Sequence, residues 1–323
     1  MAVANPHELF RAIFDHDAEA VQEILTDRPD LIDAWISGKG LHLSEFAGEI
    51  SDYRGHSAME GLDPLSYAIA RDASAIADLL IRMGANTESV SHNGNMGWCT
   101  PLVLAAFSNA AEIVSILVKG GASLNSRGSA GQSALMTVAE HDRTDIVDIL
   151  SQAGAEMTIH AAAALDLTHE IERILGESMA WLQARDPYRG ATPLYFAAGA
   201  NRDATIRMLV SQGAELDAPD NSGWTPLLRA AYSACNDAVM ALAKAGANVN
   251  YTSPNDRWGL PAGSNALHAA CSEERTTPEV VKALRDHGAR TDLKDQKGQT
   301  PVDVAETKAN ATLLAVLGAR GKS

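Results

Sequence analysis

The chain has 323 residues, 46% of them hydrophobic and 21% charged, with a net charge of −15 at pH 7 and a pI near 5.0. This is the composition of a globular chain rather than a disordered one, and its acidity argues against nucleic acid or an anionic membrane as partner, since both require a basic footprint. Cys99, Cys235 and Cys271 lack C-x-x-C spacing, no apolar leader opens the sequence and no apolar run nears the roughly 20 residues of a membrane helix, so a reducing, cytoplasmic setting is expected.

Residues 6–34, "PHELFRAIFDHDAEAVQEILTDRPDLIDA", read as a helix pair with a polar outer face, the form of a starting cap. An insertion at 36–61 follows, adding roughly 25 residues where a short connection would serve, and loops of that length are usually functional or disordered. Leu41, Leu43, Phe46 and Ile50 argue against pure disorder and suggest a lid. Beyond it, one phrase recurs: "LDPLSYAIA", "WCTPLVLAA", "QSALMTVA", "ATPLYFAA", "GWTPLLRAA", "SNALHAA" and "QTPVDVA". Aligned on the cap residue, its copies begin at Asp63, Thr100, Ser133, Thr192, Thr225, Asn265 and Thr300. The long interval between Ser133 and Thr192 divides if a degenerate unit opens at Thr158.

Each copy predicts the same local structure. A Ser, Thr, Asp or Asn side chain accepts hydrogen bonds from the free N–H groups of a helix start. Proline is tolerated at the next position, where no N–H is needed. A short Leu/Ala-rich helix, a polar turn and a second helix of period 3.6 follow, as in "EIVSILVKGGA" and "TIRMLVSQGAE". Glycines such as Gly213 and Gly246 then end the second helix.

Cap-Pro-Leu, Ala-Ala, paired helices and a terminal Gly-Ala at a period near 33 resemble the ankyrin repeat, from about Asn5 to Leu317. The resemblance implies an all-α solenoid of about nine helix-turn-helix units with projecting finger loops. The family's Thr-Pro-Leu-His histidine has a counterpart only at His268, which is expected to cap its own turn. The Thr158 unit resembles the N-terminal pair more than its neighbours, so two blocks are expected. Block 1–156 carries the N-terminal cap and the 36–61 loop, and block 157–323 carries the C-terminal cap. The first has net charge −13 and the second −2.

Repeat arrays hold their core positions constant and vary their surface, so function is sought in finger loops and on the first helices. The resemblance implies a protein or peptide partner bound in the concave groove. Candidate contacts are Arg71, Phe107, Glu140, His141 and Tyr232 after the Ala-Ala positions, with Trp98, Tyr188, Trp224 and Trp258 on the fingers. The bland reading is that these rings brace neighbouring repeats, above all Trp224. Two alternatives remain. One is a small-molecule enzyme (isomerase, lyase or hydrolase) using His56, His92, Tyr53 and Asp52 between the 36–61 loop and the next fingers. The other is an acidic decoy of a basic partner. No H-E-x-x-H, nucleophile elbow or phosphate-cradling loop is present, so no metal, cofactor or catalytic set is expected.

Overall fold

The computed structural model describes residues 6–34, 62–93, 97–129, 131–141 and 143–318. The 36–61 insertion, with Asp52, Tyr53 and His56, lies outside them. The chain divides into two compact units, Met1–Met157 and Thr158–Ser323.

In the first unit the helix pairs are α1 (Pro6–Phe14) with α2 (Ala18–Asp27), α3 (Pro64–Ala70) with α4 (Ser74–Arg82), α5 (Pro101–Phe107) with α6 (Ala111–Lys119), and α7 (Ala134–Ala139) with α8 (Thr144–Gln152). A two-stranded antiparallel hairpin, β1 (Ser91–Asn93) and β2 (Gly97–Cys99), precedes α5. First helices stack in the order α1, α3, α5, α7, and second helices in the order α2, α4, α6, α8.

The second unit repeats the plan. It contains α9 (Ile159–Ala164) with α10 (Thr168–Glu177), α11 (Pro193–Gly199) with α12 (Asp203–Ser211), α13 (Pro226–Tyr232) with α14 (Asn236–Ala245), α15 (Ala266–Ser272) with α16 (Pro278–Asp286), and α17 (Pro301–Thr307) with α18 (Ala311–Leu317). The opening pair of each unit runs into a 3-10 turn, Pro29–Asp33 in one and Met179–Gln183 in the other, each burying a leucine (Leu31 and Leu182).

First helices of six or seven residues are too short to persist alone. They stand because Ala105, Ala106, Ala197, Ala198, Ala230 and Ala231 are buried, and side chains that small let adjacent helices close together. Second helices bury a stripe of larger residues such as Ile113, Val114 and Leu117, each contributing roughly 1.5–3 kcal/mol by leaving water. Asp63, Ser133, Thr158, Thr225, Asn265 and Thr300 cap their helices as expected, each accepting from the backbone N–H three residues on. Thr100 and Thr192 do not: their hydroxyls are buried without a partner. Asp166 is structural. At φ +61° it turns the chain between α9 and α10, and its Oδ1 accepts from the Thr205 hydroxyl (2.7 Å) and N–H (3.1 Å) of the next repeat.

Candidate functional site

In the first unit the expected contact residues are spread out. The Arg71 guanidinium lies 4.4 Å over the Phe14 ring, so it packs against the neighbouring repeat. Phe107 and Glu140 are half-buried, and His141 is exposed with Nδ1 2.9 Å from the Thr137 carbonyl. Trp98, 45% exposed, sits on β2 opposite His92, the rings 5.4 Å apart at 71°. Cys99 beside it is buried, and burial pushes its thiol up to about 11, so it stays protonated at neutral pH and is a poor nucleophile. Of the catalytic alternative only His92 is described, and among the described residues no group of three His, Cys, Asp or Glu converges in metal-holding geometry.

The second unit gathers its residues. Arg257 and Leu260 exchange backbone hydrogen bonds of 3.0 and 2.8 Å, closing a two-residue turn over Trp258 and Gly259. Such a turn needs positive φ at both centres. Gly259 supplies +88° at no steric cost, whereas Trp258 is held at +49°, where a bulky side chain is an outlier costing on the order of 1–3 kcal/mol. Its surroundings hold it there. The Tyr232 hydroxyl at the end of α13 donates to the Trp258 carbonyl at 2.7 Å, and the two rings stack with centroids 5.6 Å apart. Arg257 lies 4.0 Å over the Trp258 ring and Arg229 lies 5.3 Å from it. The Trp258 side chain nevertheless remains 48% exposed.

Beneath this patch the loop is locked. Asp220, almost wholly buried, accepts on Oδ1 from the N–H groups of Ser222 (2.9 Å) and Trp224 (2.8 Å). Its Oδ2 accepts from the Tyr195 hydroxyl (3.1 Å) and Arg257 (2.5 Å). Burial pushes the Tyr195 phenol well above its ordinary range, so it donates rather than ionises. Trp224 takes the bracing role and not the partner-contact one. It is 0% exposed, its Nε1 donates to Ser253 Oγ at 3.1 Å and its ring meets those of Tyr232 and Trp258 edge-on at 5.2 Å, so no face is left for a partner. The fingers are tightly seated: a Cβ on Gly223, at φ +78°, would stand 2.2 Å from Pro254. Tyr188 is 42% exposed on the preceding finger, with Arg189 5.5 Å over its ring.

Sequence reasoning identified the aromatic residues but missed the arginines that clamp them. Arg229 lies in the family phrase itself and Arg257 precedes a turn, so neither position signalled ring contact. Trp181 and Met179, both exposed on the 3-10 turn, were also missed because the cap reading absorbed them.

Family models agree with this architecture. The family description "Ankyrin repeats (3 copies)" matches residues 65–161 and 159–253, and "Ankyrin repeat" matches 262–296. The B-cell lymphoma 3 protein homolog of Mus musculus is 27% identical over 266 residues, covering 82% of this chain and 51% of that one. The neurogenic locus notch homolog protein 2 of Homo sapiens is 29% identical over 215 residues, covering 62% of this chain and 7% of that one. The chain thus spans about half the length of the first relative and a small part of the second. Among solved structures, the human ASB11 ankyrin repeat domain is matched over 81% of this chain and all of its own, at 21% identity and a TM-score of 0.45. Ankyrin repeats are a general protein-interaction module, and this chain belongs to the ankyrin-repeat family.

Proposed function

We propose that the chain is a non-catalytic scaffold that holds a protein or peptide partner on the first-helix and finger-loop face of its second unit, centred on Trp258. One observation carries this reading: a large aromatic side chain is left half-exposed in a backbone conformation it does not favour, and stacking and cation–π contacts keep it there. Strain at an exposed aromatic is explained by a role the free protein does not itself need. Tryptophan, tyrosine and arginine are the residues that dominate binding energy at interfaces, where a rigid ring buries much area for little lost entropy. Arg257 sets the ring's plane while pairing with Asp220, so the surface is preorganised. The three free, buried cysteines suit a reducing, cytoplasmic setting.

The test compares proteins captured from a native extract by the intact chain, by Trp258→Asn and by Trp181→Ala. Asparagine accepts positive φ readily, so Trp258→Asn keeps the turn and removes the ring. The reading expects a defined set of proteins retained by the intact chain and by Trp181→Ala, and reduced at least about tenfold with Trp258→Asn, as for loss of a hot spot. Equal capture by all three chains overturns it.

A further inference from the structure

The loop at Asp220 has a near copy at Asp295. In both, the aspartate N–H donates to the carbonyl four residues on, Trp224 or Gln299, at 2.9 Å. In both, a glycine N–H returns to the aspartate carbonyl, and Oδ1 accepts the N–H groups two and four residues on. The two loops also lean on the preceding finger in the same way, Asn221 N–H donating to the Arg189 carbonyl and Gln296 N–H to the Ala262 carbonyl.

They differ at the second carboxylate oxygen. Asp220 Oδ2 accepts from Tyr195 on the first helix of the preceding repeat and from Arg257 on the following finger. For Asp295 the residue at the place of Tyr195 is His268, a shorter side chain whose Nε2 meets the Gln299 carbonyl at 3.0 Å instead. Asp295 is 6% exposed, and its Oδ2 has no hydrogen-bond partner among the described residues. Ser264, fully buried, likewise has an unpartnered Oγ. A cavity of about 140 Å³ lies here, lined by Leu260, Pro261, Ser264, His268, Asp295 and Gln299. At about 30 Å³ per water, that is the space of roughly four or five waters, enough for a planar guanidinium.

Buried polar atoms are nearly always satisfied, and a carboxylate oxygen without a donor is costly to keep out of water. We infer that this cavity takes the arginine side chain of a protein partner, its guanidinium donating to Asp295 Oδ2 as Arg257 donates to Asp220 Oδ2. The molecule's own pair is the template: a planar donor with several N–H groups can serve Asp295 Oδ2 and Ser264 Oγ together, which a lysine ammonium does less well. Lys297 and Lys308 also border the cavity and are exposed, so their charge is screened by solvent. Near the Asp220–Arg257 pair, too, a second cation is present, Arg229 approaching the same Trp258 ring as Arg257. The inference deepens the proposed function and rests on it for the partner's being a protein. Gly259, which closes the Trp258 turn, borders the cavity, so one bound segment can reach both.

The probe is N-acetyl-arginine amide titrated into the full chain, read by the amide resonances of Lys297 and Gln299, which donate to Asp295 Oδ1. A saturable shift is expected with the arginine probe, at least tenfold weaker with the lysine analogue and absent with the neutral citrulline analogue. Asp295→Asn keeps Oδ1 and the loop closure and is expected to weaken the arginine probe at least tenfold. If that variant fails to fold, the arginine–citrulline comparison on the intact chain still decides. Equal shifts from arginine and citrulline, or no saturable shift, overturn the inference. A shift that emerges only in Arg320→Ala also overturns it, because the occupant is then the chain's own arginine. Partner capture by the intact chain is measured alongside. Loss of probe binding with partner capture intact therefore sinks only the guanidinium site, whereas loss of Trp258-dependent capture sinks the proposed function.

Discussion

The finger loops at 220–224 and 295–299 share one backbone hydrogen-bond pattern and end in opposite states. The first is sealed. Trp224 closes it with a fully buried indole, and Tyr195 and Arg257 complete the carboxylate. The second has Gln299 where the first has Trp224 and His268 where the first has Tyr195, and it keeps a cavity beside an incomplete carboxylate. A repeat fixes the path of the backbone through the aspartate and its two N–H donors. Whether the loop becomes core or surface is decided by the neighbouring repeats, which supply or withhold a ring and a cation.

Removing what seals the first loop sharpens this contrast. Trp224→Ala deletes a fully buried indole wedged between Tyr232, Trp258 and Arg257, and is expected to cost about 3–5 kcal/mol in urea unfolding. Gln299→Ala in the second loop should cost under about 1 kcal/mol, because its side chain is only partly buried and its backbone makes the loop bonds. Equal costs at the two positions would break the comparison. Asp220→Ala comes next. It strands the half-buried Arg257 and frees two loop N–H groups, and breaking a buried pair from one side costs on the order of 3 kcal/mol. The Trp258 ring should lose its clamp with it, seen as a red shift and broadening of its fluorescence. A variant as stable as the intact chain would show that the carboxylate does not hold the finger.

The fold was legible because its signals are local and repeated. A capping oxygen, a proline at the first helical position and paired alanines point to the same short helix each time, and agreement across copies outweighs any single departure. The caps at Thr100 and Thr192 failed because the rest of the phrase forms the helix without their hydroxyls. The site was legible only in part. Trp98, Tyr188 and Trp258 leave their rings exposed on the fingers, whereas Trp224, at an equivalent place on its own finger, is buried and takes the bracing role that the sequence also offered for it. Its burial depends on Tyr232 at the far end of α13 and on Ser253 and Trp258 of the enlarged following finger, contacts that no local pattern encodes. Arg257 was invisible for the same reason: its partners Asp220 and Trp224 belong to the preceding finger.

The smallest expected effect separates the loops by pH. His268 is buried, and burial lowers its pKa below the ordinary value near 6.5, with the Gln299 carbonyl and the Asp295 charge opposing that shift. His268 Nε2 lies 3.0 Å from the Gln299 carbonyl, and Nδ1 lies near the Asn265 N–H (3.2 Å) and Oδ1 (2.8 Å). With the proton on Nε2 the neutral ring accepts the Asn265 N–H, and charging it adds a proton at Nδ1 that removes this acceptor from the cap of α15. With the folded pKa depressed, the unfolded chain takes up the proton first as pH falls. The stabilisation is therefore complete above the unfolded pKa of about 6.5 and is lost as pH drops towards the folded value, at a slope no steeper than about 1.4 kcal/mol per pH unit for one proton. Tyr195, at the equivalent place in the sealed loop, has its phenol pushed upward and contributes nothing in this range. His268→Gln should therefore flatten the loss of urea stability between pH 7 and pH 5, while Tyr195→Phe, though destabilising, should leave that slope as it is. If His268→Gln keeps the full slope, the acid sensitivity lies in other groups, and the open loop differs from the sealed one in packing alone.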